Sequence, residues 1–269
     1  MINELFRTLN FTVGGERFGK TYFSEKFAAY YAKHRGPVIV YNAGEQGDFS
    51  DYLEAEIVDP EQIAYDRFPS RKQSQERRMF QRQNGITHFR INGKVFHFRD
   101  FNRMFVNQGK GAGKIKFYRI GDASYEDQFF NAIFSFVSGA LLIVDDARPI
   151  TRHGLKSNLI ELLSRKNHAG KLARWKRPGR NFEGVDIIMI YHNLSKISSE
   201  AFDYANELLM FRCNQGNGKS IDNEVIANEA EKAAKYLSKA EPYTAIKIYV
   251  KGKKAGQSVL IPPTFINNL

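Results

Sequence analysis

Leu9, Phe11 and Val13 alternate with polar residues, the period-two pattern of a strand. From Thr21 to His34 the spacing changes, and Phe23, Phe27, Tyr30 and Tyr31 fall on one helical face. Gly36-Pro37 ends that helix, and Val38 to Tyr41 reads as a buried strand. Strand, short loop, helix and strand in this order predict a parallel sheet with a right-handed crossover. The alternation continues downstream. Lys116 to Ile120 is a short strand, and a helix over Asp127 to Ser138 leads into a strand over Ala140 to Val144. A helix over His153 to Asn167, with Leu155, Leu159, Leu162 and Leu163 on one side, precedes a strand over Val185 to Tyr191. Helix Ser198 to Ala205, strand Leu208 to Arg212, helix Asn223 to Lys239 and strands Tyr243 to Val250 and Ser258 to Ile261 complete the chain. The pattern is that of an α/β protein with a central, mainly parallel sheet flanked by helices.

Some stretches depart from this rhythm. His88 to Phe98 reads as a β-hairpin turning at Asn92-Gly93 in a type I′ turn, either an inserted element or an antiparallel edge of the sheet. The pattern weakens from Ala43 to Gly85, where Arg67 to Arg82 holds six basic residues and one acid. That segment is a solvated helix or loop, or a surface facing nucleic acid. Asn107 to Lys116 is glycine-rich and basic but lacks a G-K-[S/T] ending, so it reads as a connection. Phe129 to Val144 is apolar but only 16 residues long, contains Asn131, Ser135, Ser138 and Gly139, and is flanked by acids. It is short for a membrane span and fits a buried helix, a glycine stop and a buried strand.

The loop between the first strand and helix carries the clearest chemistry. Gly14-Gly15-Glu16-Arg17-Phe18-Gly19-Lys20-Thr21 satisfies G-x-x-x-x-G-K-[S/T], the P-loop pattern, in the strand–loop–helix context it requires. Its glycines let successive backbone N–H groups face a polyphosphate, and the following helix adds its positive end. Lys20 is placed to reach the β- and γ-phosphates and the Thr21 hydroxyl to bind Mg²⁺, so ATP with Mg²⁺ is the expected ligand. The strand Ala140 to Val144 ends in Asp145 and Asp146, the form of a Walker B strand. Asp145 is expected to hold Mg²⁺ through water and Asp146 to polarise the attacking water. Val185 to Tyr191 ends at His192, where a polar residue is placed to touch the γ-phosphate or its water. Arg212, at the end of its strand, is either structural or faces the nucleotide.

Charge adds a partner class. Forty Lys and Arg against 29 Asp and Glu give a formal charge of +11, which favours a polyanion, nucleic acid before membrane. Lys171 to Arg180 holds five basic residues, no acid and the one tryptophan, Trp175. It is a loop suited to a DNA backbone contact, or one whose tryptophan packs on the domain. The single cysteine, Cys213, excludes a disulfide framework and reads as core, and the six histidines show no metal-ligand spacing, so no metal besides Mg²⁺ is expected. The first residues carry charges and no long apolar run, so no signal peptide is expected.

The P-loop, the paired acids, Arg165-Lys166-Asn167-His168-Ala169-Gly170 and the run Asp186 to Arg212 together resemble the FtsK/HerA superfamily of P-loop ATPases, over roughly residues 5–215. More narrowly they resemble its Zot-like and viral genome-packaging branch. The resemblance implies a RecA-like, additional-strand (ASCE) P-loop NTPase fold across one domain, 1–269, with 216–269 as a C-terminal helix and strands. It also implies ATP-driven DNA translocation by a homo-oligomeric ring, a hexamer, acting in the host cytoplasm or on the virion with a capsid or vertex protein. Carried over, Lys20, Thr21 and Asp145 match the phosphate and metal residues. Asp146 stands where a glutamate is usual and His192 where a glutamine is usual. Arg165 falls where an arginine completing a neighbour's site is found, with Arg148, Arg152 and Arg180 as rivals. The alternatives are a Zot-like ATPase for phage assembly or extrusion, a small-molecule kinase, and a nucleic-acid-binding structural protein with an inactive nucleotide site.

Overall fold

A computed structural model describes residues 9–15, 18–42, 49, 51–105, 113–118, 123–152, 154–173, 184–213 and 221–269. The alternating segment forms β1 (Leu9–Val13), and the aromatic-faced segment forms α1 (Lys20–His34). β2 (Val38–Asn42) follows, then β3 (Leu53–Ile57), α2 (Pro60–Arg67) and α3 (Ser74–Asn84). The hairpin is β4 (His88–Ile91) and β5 (Lys94–His97), and Asn92 (φ 48°) and Gly93 (φ 76°) are both left-handed, as a type I′ turn needs. After α4 (Phe101–Met104) come β6 (Lys114–Tyr118), α5 (Ala123–Phe136), β7 (Ala140–Asp145), α6 (Arg148–Thr151) and α7 (Ser157–Arg165). The chain ends with β8 (Val185–Tyr191), α8 (Ser199–Phe202), β9 (Glu207–Met210), α9 (Glu224–Leu237), β10 (Ala245–Tyr249), β11 (Ser258–Ile261) and α10 (Pro263–Asn267).

The described strands form one eleven-stranded sheet in the order β11-β10-β9-β1-β8-β7-β2-β6-β3-β4-β5. From β9 to β3 neighbours run parallel, while β10 and β11 at one edge and β4 and β5 at the other are antiparallel. The hairpin is therefore the antiparallel edge of the sheet, and the C-terminal strands extend the opposite edge. Burial follows the pleat. Ile39 and Tyr41 join Leu142, Val144, Phe129 and Ile133 on one face, whereas Val38 and Val40 join Leu141, Ile143, Phe27 and Tyr31 on the other. Strands covered on both faces have no solvent side, which is why β7 and β8 read as apolar runs.

One helix boundary departs clearly from the sequence reading, while the apolar segment before β7 follows it. The helix expected over 153–167 is α7 followed by a 3-10 turn at Lys166–His168, because Gly154 (φ 89°) is left-handed and Lys156 extended just before it. The segment around Phe129 to Val144 is the end of α5, Gly139 and β7. Among the described residues, no helix is long and apolar enough to cross a membrane.

Candidate functional site: the loop before helix α1 and the sheet edge beside it

β1, β8 and β7 are adjacent and parallel, with Val13 beside Tyr191 and Met189 beside Val144. Their C-terminal ends therefore lie at one edge, the position where open α/β sheets bind ligands. Gly14 leaves β1 there, His192 leaves β8, and Asp145 and Asp146 close β7. β8 separates β1 from β7, so the loop and the acidic pair stand two strand spacings, roughly 10 Å, apart. This is the additional-strand arrangement.

The loop is tied to both neighbours of β1. Gly14 N–H donates to the Tyr191 carbonyl (3.3 Å) and Gly15 N–H to the Arg212 carbonyl (2.8 Å). A side chain at Gly14 would meet the Phe211 Cβ at 2.7 Å, so the chain needs glycine to pass. Gly19 caps α1 in the left-handed region (φ 107°), with no side-chain cap and no acid in the helix's first turn. The orphan N–H groups and positive dipole end are thus not neutralised by the helix itself. Lys20, 5% exposed, donates from Nζ to the Gly15 carbonyl (2.9 Å), which folds its ammonium back over the loop. Thr21 follows in the same turn, partly buried.

On the acidic side, Asp145 is in register with Asn42 of β2. Asp146 leaves the strand with φ 47°, and Ala147 N–H then donates to the Ile190 carbonyl (2.8 Å), which pins the acidic turn to β8. Burial raises the Tyr191 phenol well above its ordinary pKa; the hydrogen bond to Thr151 opposes the rise and the Asp146 carboxylate adds to it. Tyr191 Oη donates to Thr151 Oγ1 (3.4 Å). His192, one residue on, is exposed. Thr21 and Asp145 are hard oxygen donors of the kind Mg²⁺ takes alongside phosphate and water. Among the described residues, no group of three or more His, Cys, Asp or Glu is arranged to hold a metal ion.

Other expected residues fall elsewhere. Arg165 is exposed on α7, where it pairs with Glu161 (2.8 Å) and lies over the Phe134 ring (5.7 Å). Arg148 and Arg152 are exposed at the ends of α6, just after the acidic turn. Glu16, Arg17, Trp175 and Arg180 lie outside the described residues. Arg212, left open by the sequence, sits beside the loop, with its guanidinium 5.1 Å from the Phe18 ring centre. Tyr22 and Tyr243 also border the loop, and no motif pointed to them. Their rings are 5.2 Å apart, and the Tyr243 ring would meet a side chain at Gly19 at 2.8 Å.

No family model matches the chain, and no curated protein sequence matches it. Its fold is similar to that of the genome packaging NTPase B204 from Sulfolobus turreted icosahedral virus 2 in complex with AMPPCP, at 13% identity and a TM-score of 0.56 over 95% of this chain and 97% of that one. The complex of the same protein with ATP-gammaS gives 14%, 0.53, 95% and 97%. The DNA-packaging ATPase B204 from Sulfolobus Turreted Icosahedral Virus gives 15%, 0.54, 95% and 97%. At these identities the likeness is one of fold, and that fold is the mostly parallel α/β architecture of P-loop NTPases.

Proposed function

We propose that this chain is an ATP-hydrolysing motor that moves DNA, of the kind that packages a viral genome. One observation carries the reading: an uncapped, glycine-lined helix start holding Lys20 shares a sheet edge with Asp145 and Asp146, one strand removed. In this reading the loop N–H groups and Lys20 bind and orient the β- and γ-phosphates. Thr21 and Asp145 hold Mg²⁺, which supplies charge neutralisation on the phosphate oxygens when bound. Asp146 accepts the proton of the attacking water, and His192 helps to orient that water. Arg165, or Arg148 or Arg152 nearer the acidic turn, enters the site of a neighbouring copy in a ring. The fold shared with B204, described as a DNA-packaging ATPase, supports the biological setting. Exposed Arg67, Arg71, Lys72, Arg78 and Lys171 supply charge for backbone contacts with DNA.

The test is ATP hydrolysis with and without DNA. The motor reading expects turnover that rises on adding DNA of arbitrary sequence. Nucleotide binding without turnover, indifferent to DNA, overturns it in favour of a structural protein that keeps a nucleotide site.

A further inference from the structure

Glu241-Pro242-Tyr243-Thr244 is a tight turn, closed by Thr244 N–H donating to the Glu241 carbonyl (3.2 Å). Proline at its second position and φ 66° at its third are the features of a type II turn, which places glycine or asparagine at that third position. Here it holds tyrosine, a bulky residue for which the left-handed region is an outlier. Strain of this kind persists where the surroundings over-determine it, and it clusters at functional sites. The Tyr243 ring lies against Gly19, the residue that opens α1, and 5.2 Å from the ring of Tyr22 in the helix's first turn, at an interplanar angle of 60°. Tyr22 is held from behind, its hydroxyl donating to Asn267 Oδ1 (3.2 Å) on α10. Tyr243 is nonetheless 42% exposed, so packing against Gly19 and Tyr22 leaves part of the residue accessible.

We infer that Tyr243 and Tyr22 form the platform that takes the base of the bound nucleotide, Tyr243 by stacking and Tyr22 as the adjoining wall. This rests on the phosphate-binding reading of the loop. Phosphates seated on Gly14 to Thr21 leave the nucleoside at the start of α1, which these two rings border. Recognition through ring faces tolerates any base, because every base has a π-face, and it ranks bases by stacking strength. The platform therefore accepts ATP and GTP about equally and pyrimidine nucleotides less well.

The test compares binding of ATP and of inorganic tripolyphosphate, both with Mg²⁺, to the full chain. The set is wild type, Tyr243→Phe, Tyr243→Gly, Tyr22→Leu and Lys20→Ala. Tyr243→Phe is expected to bind ATP as wild type does. Tyr243→Gly, which also relieves the backbone, and Tyr22→Leu are expected to weaken ATP about tenfold or more while tripolyphosphate changes less than about twofold. Parallel loss of both ligands in these variants would show that the rings only support the loop, and unchanged ATP binding would show that the base lies elsewhere. Either result overturns the platform while the phosphate site stands. If Lys20→Ala weakens neither ligand, the phosphate site itself fails and the platform with it.

Discussion

Asp146 occupies a backbone position, φ 47°, that aspartate tolerates better than most residues. That offers a physical reason for the shorter acid where the resemblance leads one to expect glutamate: the turn out of β7 favours it. Asp146→Glu is therefore predicted to lower stability by about 1 kcal/mol, measured by urea unfolding, despite its longer reach. One titrating residue lies six strands away from β1 in the sheet. His88 on β4 is half-buried, and burial lowers its pKa below the ordinary value. Its ring packs on His97 across the hairpin, with centroids 4.6 Å apart. The unfolded chain thus takes up this proton at higher pH than the folded one. The stability linked to His88 is complete above the ordinary histidine range and is lost as pH falls through the depressed folded-state pKa. Unfolding midpoints at pH 7 and pH 5 should differ more in wild type than in His88→Phe, and equal differences would contradict this.

At the scale of elements, α1 is both the anion end and a core wall. Phe27, 1% exposed, packs between Phe23 (5.9 Å) and Tyr31 (6.3 Å) against the sheet. Phe27→Ala should cost about 3–5 kcal/mol in equilibrium denaturation. On α9, the Asn223 side chain accepts from Val225 N–H (3.1 Å) and Ile226 N–H (3.2 Å), so Asn223→Ala should cost about 1 kcal/mol in the same assay. These elements also show what a sequence exposes. β1 and α1 were legible because their hydrophobic patterns are local. β8 was legible to the residue because burial on both faces leaves it apolar apart from Asp186. β3 was not, since it lies near the sheet edge with only Ala55 buried within it, and α10 is five residues without a pattern. Tyr243 was hidden for a different reason: its importance lies in a turn conformation that its residue type argues against. Arg212 could be placed on its strand, but its approach to Phe18 depends on a fold contact that local sequence does not encode.

At the scale of the whole molecule, the parallel centre brings the ends of β1, β8 and β7 to one edge, and the antiparallel additions at both margins enlarge the sheet without interrupting it. The net charge of +11 makes any DNA stimulation of turnover salt-sensitive: raising salt should shift the half-maximal DNA concentration upward. In the proposed mechanism Lys20, which opens α1 beyond β1, and Asp146, just past β7, belong to one hydrolytic site with different tasks, although β8 lies between the two strands. The measurement that tests it most directly pairs ATP binding with ATP turnover in wild type, Lys20→Ala and Asp146→Asn. Lys20→Ala should lose both, while Asp146→Asn should bind ATP nearly as wild type does and turn it over at least about 100-fold more slowly. Turnover by Asp146→Asn at the wild-type rate, or binding unchanged in Lys20→Ala, would contradict it.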